Sequence, residues 1–119
     1  MPTALSVPTD LLTLTVDETG VAILELNDPD ASVNKISWDT LNAFSDALDV
    51  IETHADLSGL VIASGKPDSF IVGADLEMLQ TFEIPAEARR VSREAHALGE
   101  RVRSLPVPTV AALHGPVMG

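Results

Sequence analysis

The 119-residue sequence has no cysteine, so no disulfide holds it, although that absence says nothing about redox compartment by itself. It also lacks the apolar run of roughly 18 to 20 residues that a membrane helix needs. Its first ten residues, MPTALSVPTD, have neither the basic start nor the long apolar core of a signal peptide. Together these absences predict a chain with no membrane span and a cytoplasmic location. Basic residues are few: seven lysines and arginines stand against eighteen acids, a formal net charge of −11. So acidic a chain is a poor partner for nucleic acid. No G-x-G-x-x-G or G-x-x-x-x-G-K-[ST] run is present, which excludes nucleotide loops of those kinds. His54, His96 and His114 have no spacing of a metal site or triad, so no metal is expected. Serines and carboxylates are plentiful but form no recognised nucleophile or paired-acid motif. No segment repeats, and none is of low complexity.

What is present is ordinary for a globular chain: 45% hydrophobic residues, in a length that suits one domain at most. The charge is unevenly placed. Residues 1–84 hold fifteen acids and only Lys35 and Lys66, whereas all five arginines lie between Arg89 and Arg103. That contrast fits either a surface that holds an anionic cofactor or a solvated helix face. In the second case i,i+3 and i,i+4 pairs such as Glu87–Arg90 and Arg90–Glu94 would lace the face.

Periodicity supplies the elements. Residues 1–10 read as a flexible N-terminus. Leu11 to Val16 and Val21 to Leu26 are β-type runs joined by the turn Asp17-Glu18-Thr19-Gly20, hence a hairpin. Asn27-Asp28-Pro29-Asp30 breaks the second strand. Trp38, Leu41, Phe44 or Ser45, Leu48 and Ile51 fall at 3/4 spacing and predict a helix from Trp38 to Thr53, capped by Ser37. Gly59 to Ala63 reads as a buried strand. A short helix is predicted from Asp75, and a longer one whose first turn holds Pro85. The stripe of that longer helix is Ala88, Val91, Ala95, Leu98, Val102 and Leu105. Pro106 and Pro108 end it, and Thr109 to Leu113 reads as another buried strand. The alternation of strands and helices is an α/β pattern.

The segment Ser64 to Leu79, SGKPDSFIVGADLEML, carries the chemistry. An apolar strand runs into a Gly-Lys-Pro-Asp turn, then the small-residue elbow Gly73-Ala74-Asp75, then an acidic helix start. Small residues let the backbone lie close to a ligand, and free amide N–H groups cluster where a helix begins. Such a place suits a resting anion or an oxyanion that develops during reaction. The elbow is therefore a candidate oxyanion hole made of main chain, with no nucleophile beside it. A tight strand-to-helix connection would need the same small residues.

Phe70-Ile71-Val72-Gly73-Ala74-Asp75-Leu76 resembles the F-x-x-G-A-D-[LI] signature of the crotonase (enoyl-CoA hydratase/isomerase) superfamily. The longer string GKPDSFIVGADLEML, followed by LPVPTVAALHG at Leu105 to Gly115, is similar to one branch in particular. That branch is the α subunit of the multifunctional fatty-acid oxidation complex, with its N-terminal hydratase domain. The resemblance runs from Leu11 to Gly119. It implies an α/β fold, the N-terminal part of a crotonase-type ββα spiral, with residues 11–119 forming a partial domain.

For function the resemblance implies hydration of a trans-2-enoyl-CoA to a 3-hydroxyacyl-CoA. Non-catalytic acyl-CoA binding, or another reaction of the superfamily such as enoyl-CoA isomerisation, is the alternative. The N–H of Ala74 would be an oxyanion-hole donor, and Gly73, Asp75, Leu76 and Glu77 would line the thioester site. Asp75 more often serves as a helix cap than as an acid. Ala31-Ser32-Val33-Asn34 matches the family's small-x-Asn segment, so the main chain at Ser32 and Val33 would hold the CoA moiety. An Asx-type turn before the helix explains the same residues equally well. Lys35 and Lys66 would face CoA phosphates or, as isolated surface lysines, do nothing specific; for Lys66 the Gly-Lys-Pro-Asp turn is sufficient explanation. His114 would border the site.

No cofactor is expected: CoA belongs to the substrate, and NAD would enter only with a downstream dehydrogenase domain. The implied partners are an acyl-CoA thioester, and an oligomer or a complex with a thiolase β subunit. One departure matters. Family members continue His/Asn-Gly into a Gly-Gly-Gly-x-Glu run, of which this sequence reaches only the first glycine, Gly119. The second oxyanion donor and both catalytic glutamates would follow it, so the chain is expected to be truncated and, alone, inactive.

Overall fold

Three strand-forming segments open the chain. Asp17 ends the first strand of the hairpin and organises its turn. Its Oδ1 accepts from the Thr19 hydroxyl at 2.7 Å, the Thr19 N–H at 2.8 Å and the Val21 N–H at 3.0 Å. Gly20, at φ +88°, supplies the left-handed turn residue that a side chain resists. In the computed structural model, which describes residues 2–118, the chain builds a five-stranded sheet in the order of the sequence. Its strands are β1 (Thr3–Leu5), β2 (Leu12–Val16), β3 (Val21–Leu26), β4 (Gly59–Ser64) and β5 (Thr109–Ala111). β1, β2 and β3 are antiparallel neighbours; β3, β4 and β5 are parallel.

Parallel neighbours need a crossover, and here helices provide it. α1 (Trp38–Thr53) connects β3 to β4; α2 (Leu76–Gln80) and α3 (Pro85–Arg103) connect β4 to β5. Ser37 caps α1, its Oγ accepting from the Thr40 N–H at 3.1 Å. The β2–β3–β4 registers place Leu12, Leu14, Ala22, Leu24, Leu26 and Leu60 on one face. All six are buried there with Leu41, Ala47, Leu48 and Ile51 of α1 and Leu98 of α3. The α3 stripe packs as predicted from Val91 to Leu105, but Ala88 is exposed. Among the described residues, no helix is long and apolar enough to cross a membrane.

Four expectations need correction. Residues 3–5, inside the segment expected to be flexible, form β1: Leu5 sits opposite Leu14, where a half-buried leucine extends the core face by one strand. β5 is exposed along its whole length, Val110 to 59%, because it borders the sheet and no described element covers it. The i,i+3 and i,i+4 pairs expected of Glu87 and Arg90 give way to other contacts. Arg90 lies over the Trp38 ring at 5.0 Å, and Glu87 accepts from the Glu83 N–H at 2.8 Å. Arg101 reaches across to α1 instead, bonding Glu52 at 2.9 Å, Asp49 at 2.7 Å and Ser45 at 3.0 Å. Fourth, Lys66 is not a surface lysine; only 8% of it is exposed.

Asp17 supplies a pH test of the hairpin. Its carboxyl is held below the ordinary carboxylate value, first by the Thr19 hydroxyl and then by the Val21 N–H. A depressed folded-state value means that the stabilisation is present above the unfolded value and is lost as pH falls through the folded one. The melting temperature of Asp17→Ala should lie below that of the parent near neutrality. The two curves should converge as the pH falls below about 4, the ordinary carboxylate value. Thermal melts followed by circular dichroism across that range check this; a gap independent of pH would contradict the turn's charge-assisted bonding.

Candidate functional site

Each parallel strand is followed by a loop at its carboxyl end: 27–37 after β3, 65–75 after β4 and 112–118 after β5. In parallel sheets this is where ligands are received. The three loops run side by side in the same order as their strands. Val72 donates to the Asn34 carbonyl at 3.0 Å, Phe70 to that of Pro116 at 3.2 Å and Met118 to that of Ile71 at 2.9 Å. Short parallel bridges join Ile36 to Ala74 and Val72 to Met118. A narrow second layer of extended chain thus continues the main sheet beyond its strands.

The elbow lies in the middle of this layer. At the 71–72 peptide the backbone bonds as a strand does, the Val72 N–H to residue 34 on one side and the Ile71 carbonyl to residue 118 on the other. Continuing regularly, the Gly73 carbonyl would face 116–118 and the Ala74 N–H would face 34–36. Gly73 instead has φ +90°, and its carbonyl accepts from Ile36 at 2.8 Å. The 73–74 peptide is turned over. Because C=O and N–H of a trans peptide point oppositely, the Ala74 N–H is directed away from 34–36. The Asp75 N–H then bonds the Ile36 carbonyl at 2.8 Å and fixes the far side. Among the described residues nothing accepts from the Ala74 N–H, and Ala74 is exposed. A side chain at residue 73 would meet only Met118 Cβ, at 3.8 Å. The requirement for glycine is therefore conformational.

The remaining predicted residues fall into two groups. Asp75 is the cap of α2: its Oδ1 accepts from the Glu77 N–H at 3.0 Å. Leu76 is 70% exposed and Glu77 is exposed, both just past the elbow. α2 is five residues long, so few aligned peptides add a field; the turned peptide is the better source of an outward donor. Ser32 is exposed and Val33 half-buried, on the 27–37 loop just before its pairing with the elbow segment. The Asx turn expected at 31–34 is not what forms there: Asn34 Oδ1 accepts from the Asp28 N–H instead, and an Asx turn lies earlier, with Asp28 Oδ1 accepting from the Asp30 N–H at 2.9 Å. His114 bonds the Lys66 carbonyl through Nε2 at 2.7 Å. Lys35 is exposed, and Gly119 lies outside the described residues.

Two side chains to which sequence reasoning gave other roles hold the loops together. The buried Asn34 amide donates to the carbonyls of Leu26 at 3.1 Å and Phe70 at 3.0 Å and to Ser64 Oγ at 2.9 Å. Its Oδ1 accepts from the Asp28 N–H at 3.1 Å. Lys66 Nζ donates to the carbonyls of Asp28 and Ala31. For Asn34 the signal was an amide within an otherwise small and apolar stretch. For Lys66 the sequence carries none, because its burial depends on a loop more than thirty residues away.

A family model described as enoyl-CoA hydratase/isomerase matches residues 17–119. The chain belongs to the enoyl-CoA hydratase/isomerase family. Within that family it is 37% identical over 106 residues to a fatty acid oxidation complex subunit alpha of Shewanella halifaxensis. It is 38% identical over 106 residues to the protein of the same name in Aliivibrio fischeri. The matches cover 89% and 88% of this chain but only 15% of either relative. Among solved structures it resembles an enoyl-CoA hydratase of Mycobacterium smegmatis, with a TM-score of 0.80 and 26% identity. That match covers 90% of this chain and 41% of the other. Pseudomonas aeruginosa DspI gives 0.79 and 27% over 93% of this chain and 41% of its own. The fold is thus the α/β architecture of the enoyl-CoA hydratase/isomerase family, as the resemblance implied.

The Asn34 network is open to direct test. Asn34→Leu removes one acceptor and two donors while leaving their buried partners in place, so it should destabilise the chain by roughly 3 kcal/mol. Urea unfolding measures the loss, and a change within error would show that water replaces the amide at no cost.

Proposed function

We propose that this chain supplies the thioester end of an acyl-CoA site, with the Ala74 N–H as an oxyanion-hole donor for enoyl-CoA hydration. The observation that supports it is the peptide turned over at Gly73, which directs that N–H away from 34–36 and leaves it without an acceptor among the described residues. In the hydration, the oxygen of water bonds to C3 of the trans-2-enoyl thioester. The C2=C3 electron pair moves into conjugation with the thioester carbonyl, and C2 then takes a proton. Negative charge develops on the carbonyl oxygen, and an amide N–H fixed beforehand stabilises it without reorganising. Gly73 sets the direction of the donor, Asp75 holds the next residues by capping, and Leu76 and Glu77 border the thioester.

The resemblance assigns proton handling to two glutamates that lie beyond Gly119 in family members. Of the residues present, the reading asks that they bind a CoA thioester and place its carbonyl oxygen at the Ala74 N–H. The reading carries with it a complex with a thiolase subunit and a cytoplasmic setting, as proposals of the same standing.

Acetoacetyl-CoA separates binding from turnover, because an oxyanion donor promotes its ionisation to an ultraviolet-absorbing enolate without any acid or base. The bound enolate should form at a pH about one unit lower than in free solution, a bias of about 1.4 kcal/mol. Ala74→Pro, which removes the N–H, should abolish the shift while the melting transition persists. An enolate shift retained in Ala74→Pro, or no shift with the parent chain, would overturn the donor.

A further inference from the structure

Lys66 touches all three loops at once. Its Nζ donates to the carbonyls of Asp28 and Ala31, on the loop after β3, the second at 2.6 Å. Its own carbonyl bonds His114, on the loop after β5, at 2.7 Å. Its N–H donates to Ser64 Oγ at 3.0 Å, the atom that also receives the Asn34 amide. Burying a lysine head against carbonyls alone is unusual, since buried cations are ordinarily paired with carboxylates. Nothing in the core requires it: the bonded carbonyls belong to a turn, and an apolar side chain would pack with less desolvation. What the contact accomplishes is to fix the main chain of residues 28–31 immediately ahead of Ser32 and Val33. We propose that Lys66 is a positioning residue, holding the 31–34 main chain in the shape that receives a CoA ester, an inference that rests on the acyl-CoA reading above. Its role is to order a neutral backbone surface, and no contact of Nζ with the ligand is involved.

The absence of cysteine makes the test clean, because one introduced thiol is chemically unique in the chain. Lys66→Cys is capped in denaturant and refolded. 2-Bromoethylamine rebuilds an ammonium on a side chain of lysine length, whereas methyl methanethiosulfonate leaves an apolar cap. Affinity for CoA and acetyl-CoA is measured by calorimetry, and amide hydrogen exchange is followed along the chain. The apolar form should bind about tenfold more weakly, the order of one charge-assisted hydrogen bond, with faster exchange confined to residues 28–36. The aminoethyl form should recover both to within about threefold.

Affinity unchanged in the apolar form, with the unmodified chain binding CoA, overturns the inference alone. An unmodified chain that binds no CoA compound overturns the acyl-CoA reading and the inference with it. Should the apolar form fail to refold, the unmodified chain still decides. Saturating CoA should slow exchange at residues 31–34, and bound CoA without such slowing overturns the proposal.

Discussion

The buried amide of Asn34 is the constraint on which the rest of the molecule depends. A carboxamide taken out of water must find partners for both ends, and an unsatisfied one costs about 1 to 3 kcal/mol. Asn34 finds them at the end of β3, at the end of β4, in the loop behind it and on the segment leading to the elbow. Those partners come from parts of the chain up to thirty-six residues apart. With a different side chain at residue 34, the loops after β3 and β4 would lose the amide that joins them and keep the Lys66 contacts. The register that pairs Ile36 with Ala74 would then rest on those contacts and on three backbone bonds, from Val72 to Asn34, Ile36 to Gly73 and Asp75 to Ile36.

That register explains how an α/β sheet with helices on one face comes to hold an outward amide. The main sheet orders its parallel strands β3, β4, β5, and the loops inherit the same order because each leaves its strand at the same end. The narrow second layer is therefore a continuation of the sheet. The reversed peptide after Gly73 is braced on both sides by the Ile36 backbone. A donor placed in this way owes its direction to hydrogen bonds on either flank, and the short helix beyond it adds little.

Much of this was legible in the sequence, for particular reasons. The Trp38–Thr53 helix, its Ser37 cap and the hairpin were readable because each rests on local rules: apolar spacing, a capping hydroxyl, a turn with Gly at its end. The elbow was legible as a site through its small residues and its family motif. Its geometry was not, since the reversal at Gly73 shows itself only when residue 36 is alongside. β1 escaped because three residues carry too little periodicity to mark a strand, and β5 was read as buried from its apolar content alone. Lys66 was read from its neighbours Gly65, Pro67 and Asp68, where the chain only bends, whereas its side chain answers to residues 28 and 31. Local chemistry could be read along the chain; contacts across thirty residues could not.

The donor at residue 74 is an amide, and amides do not titrate in the physiological range. Its capacity to receive an anionic oxygen is consequently the same at any pH at which the two flanking bonds to Ile36 survive. Any acid or base dependence seen in ligand capture by this chain would belong to other groups, to the ligand's own ionisation or to unfolding. Nor does the donor depend on which side chain residue 74 carries, provided its nitrogen keeps a hydrogen. A substitution scan through the elbow would therefore find residue 74 tolerant and residue 73 intolerant, reversing the impression that the functional group belongs to the sensitive position.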